Sequence, residues 1–312
     1  MAAIRRLMRE LPAQQLRGRV TLVPVVNEAA FRRGQRTAED GLDLARTCPG
    51  RADGSITERI AHALSELIRS ADYYIDLHTG GARLRILPLV GYMLHRDPAV
   101  LTAQRRMACA FGLPIIWGTH PGLEGRSLSV ARDAGVPAIY VEYLGGGGCE
   151  PAGVTAYVHG CLNVLIHLGM IDPTPVGESA VPPLIVEDDR PNSGHLQINH
   201  PAPCAGFFEP TVALGDAVQT GDQLGTVTDL LGRHIEPIHA AHAGLVLMLH
   251  AVAHVDAGEG VAVVLEHGRT NPAVSGHRPG FAARYPVPLQ HSRRPTDGGT
   301  PDRVDRHRWA RR

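Results

Sequence analysis

The stretch Tyr73-Tyr74-Ile75-Asp76-Leu77-His78-Thr79-Gly80-Gly81 decides how the rest of the chain is interpreted. It begins as a β-rich run and ends in a turn of small residues. Because side chains alternate between the two faces of a strand, Asp76 and His78 leave the same face. Open α/β sheets keep their binding crevices at the carboxyl ends of strands, so this pair lies where a site is expected.

The two residue types suggest a metal centre. A metal-bound His usually has its other ring nitrogen held by a carboxylate or a carbonyl. We therefore predict His78 as a metal ligand and Asp76 as the group that orients its ring. The same pair also fits a strand-end His that is hydrogen-bonded within a loop, and an Asp-x-His by itself does not separate the two.

Length and composition limit the class of protein. The 312 residues suit one large domain or two smaller ones, and the net charge of zero gives no overall attraction to nucleic acid or membrane. All 31 basic residues are Arg, which excludes a carrier domain modified on lysine. The five cysteines lack any Cys-x-x-Cys pair. No apolar run reaches bilayer length and no secretory signal opens the chain, so we predict a cytoplasmic protein.

Apolar periodicity indicates strands alternating with helices. This pattern is typical of an α/β layer with a mostly parallel or mixed sheet and flanking helices. Ser55 followed by Glu58 is a capping-box signature for one of the helices. Strands are predicted at 20–27, 73–78, 84–93, 113–117 and 136–143, and helices at 4–11, 56–68, 99–111 and 152–168. The segment 123–133 is predicted as a loop that runs into a helix.

The domain organisation follows from changes in composition. The α/β domain is predicted over 1–172, with a Pro-rich linker at 173–183. Short Val- and Leu-rich runs between Gly turns predict a small all-β, barrel-like domain at 184–267. The segment 268–312 holds ten Arg against three Asp, and its Pro, Gly and Arg content predicts a disordered, solvated tail.

A second acid, Glu142, ends a hydrophobic strand just before four glycines. A Glu is seldom fully buried without a partner. It fits a general base that deprotonates a metal-bound water, and it also fits a Glu held by a salt bridge at a strand end. The four glycines lack the Gly-Lys-Ser/Thr of a phosphate-binding loop, so they do not indicate a nucleotide site.

Arg36 and Arg46 lie on one polar loop. Their guanidinium groups suit forked binding of a carboxylate, although surface arginines are common in this chain. The histidines at 234, 239 and 242 could bind a metal in principle, and solvated loop histidines are the simpler interpretation.

Three motifs occur in the order and spacing of a known family: Gly41–Gly50, Asp76–Gly81 and Val141–Gly148. Together they resemble the succinylglutamate desuccinylase/aspartoacylase family of zinc hydrolases, which is related to carboxypeptidase-type folds. The resemblance runs from Met1 to about Glu266.

The resemblance implies a zinc-dependent amidohydrolase that removes an acyl group from an N-acylated amino acid. It implies His78 as a Zn²⁺ ligand, Glu142 as the base and proton shuttle, and Arg36 and Arg46 as the groups that hold the substrate carboxylate. The run of glycines is most similar to members that deacetylate N-acetyl-diaminobutyrate-like compounds. The expected partner is a small molecule, with neither nucleic acid nor membrane, and an oligomer is left open.

Two departures from the family pattern matter. Ala45 stands where the family has an Asn that pairs with the Arg of the substrate loop. The family's first zinc motif, His-Gly-Asp/Asn-Glu, supplies two of three protein ligands, and it precedes the helix with which this chain begins. That helix also starts without a capping residue. We therefore expect the zinc-hydrolase domain to be N-terminally truncated by a misassigned start.

Two alternatives to a misassigned start remain. The chain could be a non-catalytic remnant that binds carboxylate ligands, or it could have recruited another ligand set such as His120 with Glu124.

Overall fold

The computed structural model describes residues 1–173 and 182–266. Strands alternate with helices as far as α6, and short strands follow, which confirms the predicted α/β class. The helices are α1 (Ala2–Glu10), α2 (Glu28–Arg32), α3 (Ile56–Arg69), α4 (Pro98–Phe111), α5 (Ser127–Ala134) and α6 (Pro151–His167). The strands are β1 (Tyr74–Leu77), β2 (Leu84–Met93), β3 (Ile115–Thr119), β4 (Ala138–Gly145), β5 (Leu184–Asp188), β6 (Gly206–Pro210), β7 (Ala217–Val218), β8 (Gln223–Thr228), β9 (Ile235–His239), β10 (Gly244–His250), β11 (His254–Val255) and β12 (Ala262–Glu266).

The central sheet is mixed and has eight strands, with the continuous order β1-β4-β2-β10-β12. β1 and β4 are parallel, and β2 runs antiparallel to β4. The first half of β2 pairs with β10 and its second half pairs with β3, which also pairs with β5. One row of side chains therefore runs across the sheet from Asp76 through Tyr140 and Gly91 to Trp117.

Helices cover both faces of the sheet. Helices α1, α4 and α6 pack on one face around Leu7, Tyr92 and Met107, which are at most 2% exposed. Helices α3 and α5 cover the other face, where Ala61 and Val130 are buried. Full burial of a large apolar side chain stabilises a fold by about 1.5–3 kcal/mol, so these layers fix the strand ends that carry the polar motifs.

The predicted capping box at the start of α3 is confirmed. The Ser55 hydroxyl accepts the Glu58 amide, and the Glu58 carboxylate accepts the Ser55 amide at 2.8 Å. Asp40, from the preceding loop, accepts hydrogen bonds from the Ser55 hydroxyl at 2.6 Å and from the Thr57 amide at 2.8 Å. These bonds fasten the loop that carries Arg36 and Arg46 to a regular helix.

Glycines in the motifs Asp76–Gly81 and Val141–Gly148 allow the two backbone segments to lie in close contact. The Gly80 amide donates to the Leu144 carbonyl, and the Gly146 amide donates to the Leu84 carbonyl. A Cβ at Gly80 would lie 2.2 Å from the Leu84 carbonyl oxygen, and one at Gly145 would lie 2.3 Å from the same atom. Gly145 also has a φ of 136°. The run of glycines therefore joins the end of β4 to the β1–β2 loop.

Replacing Gly80 by Ala is expected to lower the free energy of unfolding by about 2–3 kcal/mol, because the new methyl group would meet backbone that cannot move aside. Gly148→Ala is the matched control, since its Cβ would meet nothing nearer than 3.7 Å and should change stability by less than about 0.5 kcal/mol. Denaturant unfolding of both variants measures the difference. Equal losses would contradict the close approach.

The strand predicted at 20–27 is wrong, since the structure has no strand there. Val23 and Val26 are 37% and 36% exposed. High β-propensity describes a fit to a half-buried, paired surface. Within the described residues β1 is an edge strand that pairs only with β4, so no strand lies alongside this segment.

The segment 184–266 is all-β, and its strands divide between two sheets. Strands β5, β7, β10 and β12 join the central sheet, while β6, β8, β9 and β11 form a four-stranded sheet of their own. Glu187 helps hold β5 in place by accepting the Tyr92 hydroxyl at 2.6 Å and both guanidinium donors of Arg105 at 2.7 Å. The predicted limits of the two domains stay a prediction.

Two other sequence predictions concern residues that are not described. Most of the predicted linker and the tail at 268–312 lie outside the described residues. In the part of the chain that is described, the model contains no helix with the length and apolar content that a membrane span requires.

Candidate active site

Asp76 and His78 lie in contact at the end of β1. Nε2 of His78 is 2.9 Å from Oδ1 of Asp76, with the His side chain 42% and the Asp side chain 19% exposed. Ser127, at the start of α5, donates to the other Asp76 oxygen at 2.5 Å, and Tyr74 adds a further hydrogen bond. The His78 amide donates to the Val141 carbonyl, which links the pair to β4.

The charges of this pair favour ionised forms. Burial acts to lower the pKa of His78, but the charge and hydrogen bond of Asp76, with the charge of Glu142, raise the pKa to about 9. Burial acts to raise the pKa of Asp76, but His78, Ser127 and Tyr74 outweigh it and the pKa is lowered. Solvent at the exposed part of the imidazole screens some of this attraction. The pair therefore places a cation beside the end of β4.

Glu142 stands next to this pair. It pairs with Leu89 of β2, and it shares the face of Tyr140 because the two are separated by one residue in β4. Burial, with the charge of Asp76, raises the pKa of Glu142 to about 7, while His78 and Arg36 oppose the shift. Its Oε2 atom is buried and has no hydrogen-bond partner among the described residues. A carboxyl group that titrates near neutral pH can both accept and return a proton.

The two predicted arginines differ in the groups on which their charges act. Arg36 donates to Asp43 through Nε at 3.0 Å, and its side chain is 62% exposed. Its charge nonetheless acts on both His78 and Glu142. Arg46 donates to the Ala45 carbonyl at 2.7 Å, and its charge acts on Arg126.

Arg126 is a third arginine of the site, and the sequence interpretation missed it. It is half-buried at the N-terminus of α5, where the helix dipole disfavours a cation. Burial, with repulsion from Arg46 and Arg36, lowers its pKa. Its guanidinium forms no ion pair with any carboxylate in residues 1–173 or 182–266. Nothing in the sequence sets this arginine apart from the other arginines of the chain.

His195 joins the site from the C-terminal segment. Its loop is anchored where Ser193 accepts the His120 amide at 2.8 Å and where Gly194 packs against Thr119. Burial, with the charges of Arg126 and Arg46, lowers the pKa of His195. The loop thus brings a neutral imidazole to the group of arginines, which the sequence analysis did not foresee.

A zinc ion does not fit the described residues by themselves. A catalytic zinc takes three protein ligands and keeps an open position. The described part of the chain contains no group of three His, Cys, Asp or Glu side chains that could hold a metal. Nε2 of His78 is already engaged by Asp76. The role of His78 as a metal ligand stays a prediction.

The other candidate ligands are engaged elsewhere. Glu124 forms an ion pair with Arg132 at 2.8 Å, and His120 accepts the Gly122 amide. His239 and His242 hydrogen-bond backbone carbonyl groups at 2.9 and 3.0 Å. No structural feature of the described residues brings these groups together as a replacement site.

Comparison with known proteins identifies the fold and the motifs. Residues 1–168 match the family model described as the succinylglutamate desuccinylase/aspartoacylase catalytic domain. The chain belongs to this family. A relative from Halomonas elongata, N-alpha-acetyl-L-2,4-diaminobutyric acid deacetylase, is 32% identical over 273 residues, which cover 85% of this chain and 78% of the relative.

Solved structures of the family share the fold. A succinylglutamate desuccinylase/aspartoacylase from Rhodobacter sphaeroides superposes with a TM-score of 0.76 at 28% identity, over 85% of this chain and 80% of its own. The product-bound ectoine utilization protein EutE (DoeB) from Ruegeria pomeroyi gives 0.74 at 28% identity, over 84% and 79%. The family and these relatives support an enzyme that acts on small N-acyl amino acids.

Proposed function

We propose that this chain binds an N-acylated amino acid by its carboxylate and hydrolyses the amide bond to release the acyl group. The single observation that carries the proposal is the placement of Glu142. A carboxyl group with a pKa of about 7 lies beside the Asp76–His78 pair, and the charge of Arg36 acts on both Glu142 and His78. This combination provides a proton carrier next to a site for an anion.

The chain's own residues suit the two parts of the reaction. Arg126 and Arg46 would bind the carboxylate, with Arg36 adding charge from the exposed rim. Glu142 would accept a proton from the attacking water and return it to the leaving amine, which amide hydrolysis requires because a neutral amine departs more easily than its anion. The nearby imidazolium of His78 would stabilise the ionised form of Glu142 before it accepts the proton and after it returns it.

The proposal also names a substrate class and a metal. The similarity to the deacetylase from Halomonas elongata supports an N-acetyl-2,4-diaminobutyrate-like compound as the substrate of this chain. Zinc dependence is implied by the family resemblance. The proton transfers assigned to Glu142 do not depend on which group polarises the carbonyl.

A second candidate function is a carboxylate-binding protein without catalysis. It is favoured by the absence of a three-ligand metal group among the described residues. Such a protein would keep the arginines and bind the ligand without cleaving it.

One experiment on the whole chain separates the two candidates. Calorimetry with N-acetyl-L-2,4-diaminobutyrate, with chelator and with added zinc, is combined with an assay of acetate release and analysis of bound metal. We expect ligand binding both with chelator and with added zinc, and acetate release in at least one of these two conditions. Binding that survives chelation without acetate release at any zinc concentration would favour the second candidate. No binding at all would overturn both.

A further inference from the structure

Tyr140 is a half-buried tyrosine on the face of β4 that carries Glu142. It pairs with Asp76 on one side and with Gly91 on the other. Burial and the charge of Glu142 raise its pKa, and Arg126 opposes the shift. The hydroxyl therefore stays protonated at neutral pH and can donate a hydrogen bond beside these two charged groups.

Gly91 makes room for this ring. A Cβ at position 91 would lie 2.1 Å from both Cε1 and Cζ of Tyr140 and 2.4 Å from its hydroxyl oxygen. The ring thus lies across β2 instead of projecting away from the sheet. Any larger residue at position 91 would displace the phenol, so the position of its hydroxyl is fixed by the sheet.

The polar groups around the ring are incompletely satisfied. The Tyr140 hydroxyl forms no hydrogen bond within the described residues. Nε1 of Trp117, next to Gly91 on β3, and Oε2 of Glu142 are buried and have no partner there either. Because buried polar groups in folded proteins are nearly always hydrogen-bonded, a bound molecule is expected to complete this set.

The charges near Tyr140 indicate which chemical group of the bound molecule would lie there. Arg126 is a half-buried cation without an ion pair to a carboxylate in the described ranges. The neighbouring Tyr140 and Trp117 add two neutral donors on the same face. Hydrogen-bond donors beside such a cation recognise an anionic acceptor, and the carboxylate of an amino acid is the anion that the proposed substrate carries.

We propose that Tyr140 is a positioning residue that donates a hydrogen bond from its hydroxyl to the substrate carboxylate held by Arg126. This inference rests on the proposed function. The bond would fix the carboxylate in the plane of the sheet and so orient the adjacent amide toward Glu142. Tyr140 would thereby set the preference for substrates with a free carboxylate next to the acylated nitrogen.

The test compares two ligands on two proteins by calorimetry. The ligands are N-acetyl-L-2,4-diaminobutyrate and its carboxamide, which keeps the shape but lacks the negative charge. Tyr140→Phe retains the ring. We expect its affinity for the acid to be at least about tenfold lower, because a hydrogen bond to a charged group is lost. The affinity for the carboxamide should be the same for both proteins.

Tyr143→Phe is the matched control. Tyr143 lies on the same strand but on the opposite face, where its ring packs against Tyr157 at a centroid distance of 6.1 Å. It should bind both ligands as the unaltered chain does. Thermal unfolding of each variant checks that the fold is kept.

The calorimetry has four possible outcomes, and each of them either supports or overturns the inference. Unchanged acid affinity in Tyr140→Phe would overturn the inference, and equal weakening for both ligands would overturn the assignment to the carboxylate. If the unaltered chain binds neither ligand, the proposed function fails and the inference falls with it. A loss confined to the acid in Tyr140→Phe would support the assignment.

Discussion

Replacing Glu142 by Gln is expected to reduce amide hydrolysis by about 10²–10⁴-fold, the usual contribution of a general acid–base group. Gln keeps the shape of the side chain but cannot accept or return the proton. Ligand affinity should change by less than about threefold, because the arginines that hold the carboxylate are intact. Acetate release and calorimetry on the same preparations measure the two effects.

The same substitution has a consequence for stability that needs no substrate. The pKa of Glu142 is about 7, against a reference of 4.5. The folded state therefore holds this proton more tightly than the unfolded state. The stabilisation is complete below about pH 4.5 and is lost as pH rises through about 7.

Glu142→Gln should accordingly be more stable than the unaltered chain at pH 8, by at most about 3 kcal/mol, and similar to it at pH 4.5. The sign is opposite to that of most substitutions of buried residues. Denaturant unfolding at both pH values measures it. The exposed Glu236, as Glu236→Gln, is the control and should show no such dependence. Reduced stability at pH 8 would mean that Glu142 has a structural partner instead of a proton to exchange.

Most helices and strands of the fold could be predicted from short sequence patterns. The capping box of α3 and the strands predicted at 84–93 and 136–143 are encoded over a few residues each, and the structure has them within a few positions of the prediction. The pairing of distant strands is not encoded in this way. Nothing in the periodicity of β10 indicates that it pairs with β2 at Met248 and Ile86. For this reason the division of the C-terminal strands between two sheets was not foreseen.

The residues of the candidate site also divide into those marked by a local motif and those marked only by their neighbours in the folded chain. Asp76, His78 and Glu142 could be selected as candidates because each belongs to a short motif at the end of a strand. Arg126 and Tyr140 could not, since what distinguishes them is burial and the neighbours that folding brings to them. One is an arginine among many, and the other is an ordinary strand residue until Gly91 is placed beside it. Tertiary structure thus shifts the emphasis from Arg36 to Arg126.

Arg126→Ala is expected to weaken binding of N-acetyl-L-2,4-diaminobutyrate by about 30- to 100-fold, whereas Arg36→Ala should cost less than about fivefold. A hydrogen-bonded charge pair in a partly buried site is worth about 2–3 kcal/mol, and an exposed pair is worth at most about 1 kcal/mol. Arg36 is exposed and already paired with Asp43. Calorimetry on the two variants gives the ratio, and a larger loss for Arg36→Ala would contradict the assignment.

Stability of the ligand-free variants distinguishes a binding role for Arg126 from a structural one. Arg126 is a half-buried cation at a helix N-terminus and forms no ion pair with a carboxylate in the described part of the chain, so burial and the helix dipole both disfavour its charge. Arg126→Ala should therefore not lower the free energy of unfolding in the absence of ligand, although it abolishes most of the affinity. A residue that gives up stability in the free protein and recovers it only with an anion present has the energetic signature of a binding group. Loss of stability and affinity together would instead make Arg126 part of the framework of α5.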